Sequence, residues 1–275
     1  MKQFPYVFFL GIGGIGMSAL ARWFRANGHH VSGYDKTETP LTQALAAEGI
    51  AVHYVDAIDS IPAEVRAHRD QTLVVLTPAI PADSVEWAWL RAEGYDIRKR
   101  SQVLGVLTAG RYTIAVAGTH GKTTTSSMVA HLLHHTGLAA GAFLGGISVN
   151  LGSNLLLPAT PEAPIVVGAD EYDRSFLTLF PDVAIVTSTD ADHLDIYGDQ
   201  SALIESFRQF VAQIKPAAPC SSTTPPTPAW PPRHPSAPAL SATVSTSSRA
   251  LSCLLPIFRP KATGSTSTCT APKVP

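Results

Sequence analysis

The segment Thr113-Ile-Ala-Val-Ala-Gly-Thr-His-Gly-Lys-Thr-Thr-Thr125 constrains the fold more than any other stretch of the chain. An apolar run of strand character stops at Gly118-Thr119-His120-Gly121-Lys122-Thr123, and helix-forming residues follow. A glycine turn between a strand and a helix aims backbone N–H groups at phosphate oxygens. A lysine there reaches the terminal phosphates, and the next hydroxyl can bind Mg²⁺. The segment therefore predicts an α/β fold that handles a nucleoside triphosphate. It is tighter than the general G-x-x-x-x-G-K-[ST] pattern, whose first glycine would fall at Val116.

The first hundred residues repeat the same logic. Residues 6–14 read as a buried strand and a glycine turn. The following helix carries Met17, Leu20, Ala21 and Phe24 on one apolar face, and Gly28 ends it. Strands at 30–35 and 73–78 alternate with helices at 40–49 and 84–94, which predicts a parallel sheet covered by helices with right-handed crossovers. A second unit starts near Tyr112. Its further strands are expected at 165–168 and 183–187, both as buried strands. A helix over 201–214 places Leu203, Ile204, Phe207, Phe210, Val211 and Ile214 on one stripe, which is expected to pack on the second sheet. So few strands is lean for a nucleotide-binding sheet.

Composition changes abruptly near Lys215. All 21 Asp and Glu precede it, whereas residues 216–275 hold none, along with 13 of the 22 prolines and all three cysteines, Cys220, Cys253 and Cys269. Such a segment is expected to bury no core and to be disordered. It reads either as a Pro/Ser/Thr-rich linker or as out-of-frame sequence; the abrupt change and the lack of acids favour the second. The cysteines form no C-x₂-C pair. The expected division is 1–108, 109–215 and 216–275. The net charge of -1 gives no reason to expect nucleic-acid or anionic-membrane binding. No apolar run approaches the ~18 residues of a membrane span, and the N-terminus lacks a signal-peptide layout, so the cytoplasm is the expected location.

Gly11-Ile-Gly-Gly-Ile-Gly16 matches G-x-G-x-x-G between a strand and a helix, with Asp35 at the end of the next strand. This predicts a nucleotide diphosphate at the helix N-terminus with Asp35 on ribose hydroxyls, and by itself admits NAD(P). Asp190-Ala-Asp-His-Leu-Asp195 places three carboxylates and His193 after a strand, at the ligand-binding edge of such a sheet; Asp170, Glu171 and Asp173 invite the same argument. Carboxylates beside a triphosphate suit Mg²⁺. His131, His134 and His135 share a helix without an acidic partner nearby and read as a solvated face. His120, inside the loop, either contacts substrate or fills the turn.

Four segments in this order, Gly11–Ser18, Gly118–Thr125, Ala169–Phe176 and Asp190–Asp195, closely resemble the Mur ligases, and within them the branch that joins L-alanine to UDP-N-acetylmuramate. The resemblance covers residues 1 to about 215. It implies a Rossmann-like UDP-sugar-binding domain followed by an incomplete P-loop-type ATP-binding domain. It implies that Gly11, Gly13, Gly14, Ile15, Gly16 and Asp35 hold the UDP-sugar. It implies that Gly118, Thr119, His120, Gly121, Lys122, Thr123 and Thr124 wrap ATP, with Lys122 and His193 catalytic and Thr123 and His193 serving Mg²⁺. The reaction implied is ATP-dependent amide formation through an acyl phosphate, in peptidoglycan precursor synthesis, with UDP-N-acetylmuramate and L-alanine as small-molecule partners. The competing readings are a ligase for a recycled peptide, an NAD(P) oxidoreductase and a non-catalytic UDP-sugar-binding fragment.

Two departures from the family pattern stand out. Gly168 occupies the position where family members carry a glutamate metal ligand. Glu171 is the alternative acid, but an odd offset along an extended strand turns it to the other face. The family continues past residue 215 with more of the ATP domain and a third, closing domain, so this chain is expected to show little or no ligase activity, because closure keeps water from an acyl phosphate.

Overall fold

A computed structural model describes residues 3–190 and 194–216. His193 and all of the Pro/Ser/Thr-rich segment except Pro216 lie outside the described residues. The first sheet comprises β1 (Tyr6–Leu10), β2 (His30–Tyr34), β3 (Ala51–His53), β4 (Thr72–Leu76) and β5 (Asp96–Lys99). It is wholly parallel, in the order β3-β2-β1-β4-β5. Its helices are α1 (Ile15–Ala26), α2 (Pro40–Ala47), α3 (Ala63–Ala67), α4 (Val85–Ala92) and α5 (Arg100–Thr108). The strand order reverses beside β1, so the Gly11 turn opens at the switch point where such sheets hold ligands.

The second sheet has five strands among the described residues, more than the sequence suggested. They are β6 (Thr113–Ala117), β7 (Gly141–Ser148), β8 (Ser153–Leu156), β9 (Ile165–Gly168) and β10 (Val183–Val186), in the order β10-β6-β9-β7-β8. Only the β7–β8 pair is antiparallel. Strand β7 escapes a propensity reading because Gly141, Gly145 and Gly146 interrupt it. Its glycines have a packing cause. A Cβ on Gly145 would lie 2.8 Å from the Thr123 hydroxyl, so the strand needs a bare backbone there. Strands β3 and β5 are short and lie on the edges of the first sheet, where the apolar pattern is weakest. Strand β10 was expected to be buried, but it is an edge strand and all four residues keep some exposure.

The remaining helices are α6 (Lys122–His135), α7 (Leu194–Tyr197) and α8 (Gln200–Ala212). Helix α8 buries Leu203, Phe207 and Phe210 in one cluster with Phe176 and with Ala115 and Val167 of the second sheet, as its stripe requires. Val211 stays 37% exposed, so the buried face is narrower than the stripe.

Helix α1 is shared by the two sheets. Met17, Leu20, Ala21 and Phe24 are buried as the periodicity demands, but so are Ser18, Ala19 and Trp23. The reason is that α1 contacts β1 and β2 on one side and β7 and β8 on the other. One continuous cluster therefore joins Phe9, Leu20 and Phe24 to Phe143, Leu155 and Phe176. A polar chain crosses the same junction. Buried Asn154 of β8 donates to the Ile15 carbonyl at 2.6 Å and to the Ser18 hydroxyl at 2.8 Å. Its carbonyl accepts from Arg22 at 2.5 Å, and Arg22 forks onto Glu48 at 2.7 and 2.8 Å. A bidentate guanidinium–carboxylate pair fixes orientation as well as adding energy. Asn154→Ala leaves these groups short of a partner inside a closed junction. It should destabilise the fold by about 1–3 kcal/mol, read by urea denaturation, whereas Asn154→Gln should recover part of the loss.

At the far side of the first sheet, Glu86 is fully buried at the start of α4. One oxygen meets His53 Nε2 at 2.6 Å and accepts the Ala57 N–H at 3.3 Å. Burial pushes the Glu86 carboxyl above the usual range, against the pull of His53 and the Ala57 N–H. A raised carboxyl favours folding fully below its unfolded value of about 4.3, and that contribution fades as pH rises through the folded value. Glu86→Gln mimics the protonated form. The melting temperature of the variant should therefore gain on that of the parent as pH rises from about 4 toward neutrality, as measured by a calorimetric pH series.

Candidate nucleotide-binding site

The loop between β6 and α6 is built as its glycines dictate. Gly118 has φ +131° and Gly121 has φ +79°, both in the left-handed region. A Cβ on Gly118 would collide with the Thr187 side chain and the Ser188 backbone. The loop is held against the end of β10 by Thr187 and Ser188, which the sequence reading passed over. The Thr119 N–H donates to the Ser188 carbonyl at 3.1 Å, and the His120 N–H to the Ser188 hydroxyl at 3.0 Å. Their position just after a strand at the ligand edge was the available signal. The His120 side chain is exposed. The Asp190 N–H donates to the Thr119 hydroxyl at 3.2 Å, which ties the start of the Asp190–Asp195 segment to the loop. Asp192 and His193 of that segment lie outside the described residues.

Lys122 opens α6 and curls back over the loop. Its Nζ donates to the Gly118 carbonyl at 2.8 Å and to Glu171 Oε1 at 2.7 Å. Glu171 is fully buried, and the Tyr197 hydroxyl donates to its backbone carbonyl at 2.6 Å. Glu171 is not among the residues lining the cleft that Gly168 lines; β9 ends at Gly168, and beyond it Glu171 turns to Lys122. The next residues leave the strand and enter a tight turn in which Asp173 and Arg174 adopt φ of +52° and +53°. Asp170 faces the cleft, and Asp173 pairs instead with Lys99 at 2.7 Å. Among the described residues no group of three or more His, Cys, Asp or Glu could hold a metal ion. His131, His134 and His135 form ring contacts with one another, and no such group includes them.

The glycine turn of the first sheet is closed by its own acid. The Gly11 and Ile12 N–H groups donate to the Tyr34 carbonyl at 2.8 and 3.0 Å. The Gly13 N–H donates to Asp35 Oδ2 at 2.7 Å, and the Thr37 N–H to Asp35 Oδ1 at 3.1 Å. Asp35 thus braces the turn as well as standing beside it. Gly14, Ile15 and Gly16 open α1 without a side-chain cap, so the N-terminal N–H groups have no side-chain partner.

One cleft of about 340 Å³ brings the two halves together. Gly14, Ile15 and Gly16 line it from the first sheet, and Lys122, Thr123 and Gly168 from the second. Arg100, not singled out from the sequence, lines it as well.

Comparison with known proteins identifies the family. Residues 6–112 match the family described as "Mur ligase family, catalytic domain", and residues 116–221 match the "Mur ligase middle domain". A UDP-N-acetylmuramate–L-alanine ligase of Cytophaga hutchinsonii is 53% identical over 212 residues, which is 76% of this chain and 45% of the relative. The ligase of the same name from Flavobacterium johnsoniae is 51% identical over 215 residues, 78% of this chain and 47% of the relative. The chain thus spans less than half the length of these curated relatives. Among solved structures, the UDP-N-acetylmuramate–alanine ligase of Thermotoga maritima superposes with a TM-score of 0.68 at 32% identity, over 76% of this chain and 47% of that one. A UDP-N-acetylmuramate:L-alanyl-gamma-D-glutamyl-meso-diaminopimelate ligase from Neisseria meningitides gives 0.69 at 28% identity, over 77% and 69%. The chain belongs to the Mur ligase family and carries its N-terminal and middle domains.

Proposed function

We propose that the described residues form the UDP-sugar and ATP-phosphate sites of a ligase that joins L-alanine to UDP-N-acetylmuramate in peptidoglycan precursor synthesis, working in the cytoplasm. The observation that carries the reading is the single cleft lined by both the Gly14–Gly16 turn and Lys122–Thr123. A sugar nucleotide seated on the first and a triphosphate seated on the second would meet there, which is the positioning that phosphoryl transfer needs. No helix among the described residues is long and apolar enough to cross a membrane. Relatives named for L-alanine ligation at about half identity favour that substrate over a recycled peptide. The Gly118–Thr124 loop speaks against an NAD(P) oxidoreductase.

In this reading the sugar-acid carboxylate attacks the γ-phosphorus of ATP, the bond to the β-phosphate oxygen breaks, and ADP leaves. The amine of L-alanine then attacks the acyl carbon, phosphate departs and the amine gives up a proton. Backbone N–H groups of the Gly118–Thr124 loop cradle the phosphates, and Lys122 neutralises charge on the transferred group. Glu171 keeps Lys122 folded over the loop until a phosphate takes its place. The oxygens lining the cleft, from the Thr123 hydroxyl and the Asp170 carboxylate, suit a Mg²⁺ carried in on the triphosphate rather than a metal caged by protein alone. When bound, that ion would supply charge neutralisation at the phosphates.

Calorimetric titration of the full chain should detect both ATP and UDP-N-acetylmuramate. Lys122→Met should weaken ATP binding at least about 10-fold and leave the UDP-sugar affinity unchanged, which also reports an intact fold. Tight NADH binding without UDP-sugar binding would sink the reading. At Gly168 an added Cβ meets nothing closer than the Gly145 amide nitrogen at 3.9 Å, so a side chain fits. Gly168→Glu should place a carboxylate beside Thr123 and lower the Mg²⁺ concentration needed for half-maximal ATP binding by about 10-fold.

A further inference from the structure

We propose that Arg100 is a binding residue for the diphosphate of the sugar nucleotide, an inference that rests on the reading of Gly11–Gly16 as the UDP-sugar turn. Arg100 is the first residue of α5, directly after β5, and so stands at the C-terminal edge of the first sheet. Its side chain packs against Gly16. A Cβ on Gly16 would sit 2.8 Å from Nη1 and 3.3 Å from Cζ. The third glycine of the motif therefore has a second task besides packing, which is to leave room for this cation.

The placement is electrostatically unfavourable as it stands. A helix N-terminus carries about half a positive charge. Arg100 is held against the N-termini of two helices, its own α5 and the facing α1. An anion between them would relieve both conflicts. Among the described residues the counter-ion of Arg100 is Asp170, at 3.4 Å, well beyond the ~2.7–2.9 Å of a settled charge-assisted bond. The other cation lining the cleft, Lys122, already has Glu171 at 2.7 Å. Arg100 is thus the less compensated of the two. Its planar fork matches two phosphate oxygens, one from each phosphorus or two from one, while the α1 N–H groups approach from below. Its seat on Gly16 rather than on the Gly118–Thr124 loop assigns it to the sugar nucleotide and not to the triphosphate.

The test is calorimetry on the full chain with UDP-N-acetylmuramate, UDP, UMP and ATP, in the parent, Arg100→Gln and Arg100→Lys. The parent should prefer UDP to UMP. Arg100→Gln should weaken UDP and UDP-N-acetylmuramate by about 10- to 100-fold, erase the preference over UMP, and leave ATP within about twofold. Arg100→Lys, with charge but no fork, should fall between. Unchanged ATP and UMP affinities report a folded variant, so a general structural role would not give this pattern. The proposal fails if Arg100→Gln binds UDP as the parent does, or if it loses ATP while keeping UDP. A parent that binds ATP but no uridine nucleotide would instead overturn the UDP-sugar reading itself.

Discussion

Helix α1 is the constraint on which the rest of this structure depends. Its N-terminus follows the glycine turn of the first sheet, and its body is packed by both sheets at once. An amphipathic helix on one sheet buries one stripe. Here a second sheet covers the opposite side, and Ser18, Ala19 and Trp23 go inside with Met17, Leu20 and Phe24. The small Ser18 meets Asn154 of β8 directly. The Asn154–Arg22–Glu48 chain supplies direction that apolar contact lacks. The turn at Gly14–Gly16 and the loop at Lys122–Thr123 line one cleft because the helix that carries the first is also core to the sheet that carries the second.

Within that frame Lys122 is held against the buried Glu171 carboxylate at 2.7 Å, while its own side chain stays partly exposed. Glycines recur where a polar side chain comes near: Gly13 admits the Asp35 carboxylate, Gly16 the Arg100 guanidinium and Gly145 the Thr123 hydroxyl. Gly168 differs, because an added Cβ would meet only the Gly145 amide nitrogen at 3.9 Å and no close approach requires a glycine there.

Local chemistry was legible in the sequence. The two strand–glycine turn–helix units, the apolar faces of α1 and α8 and the alternation that makes a parallel sheet all follow from spacing of a few residues, where steric and hydrogen-bond rules act over short range. The strands that escaped notice are β7, thinned by glycine to admit Thr123, its antiparallel partner β8, and the short edges β3 and β5. Glu171 meets Lys122 because the chain has already left the sheet after Gly168.

By itself the sequence determined the fold class, the family and the two strand–glycine turn–helix loops, since these are written in contiguous motifs. Only the tertiary structure decided which partners those motifs meet: Ser188 under the Gly118 loop, Glu171 on Lys122, Arg100 over Gly16 and Asn154 on α1. Each pair lies tens of residues apart or more along the chain. Its meeting is fixed by sheet order and by the packing of α1 between two sheets, which no periodicity in either partner records.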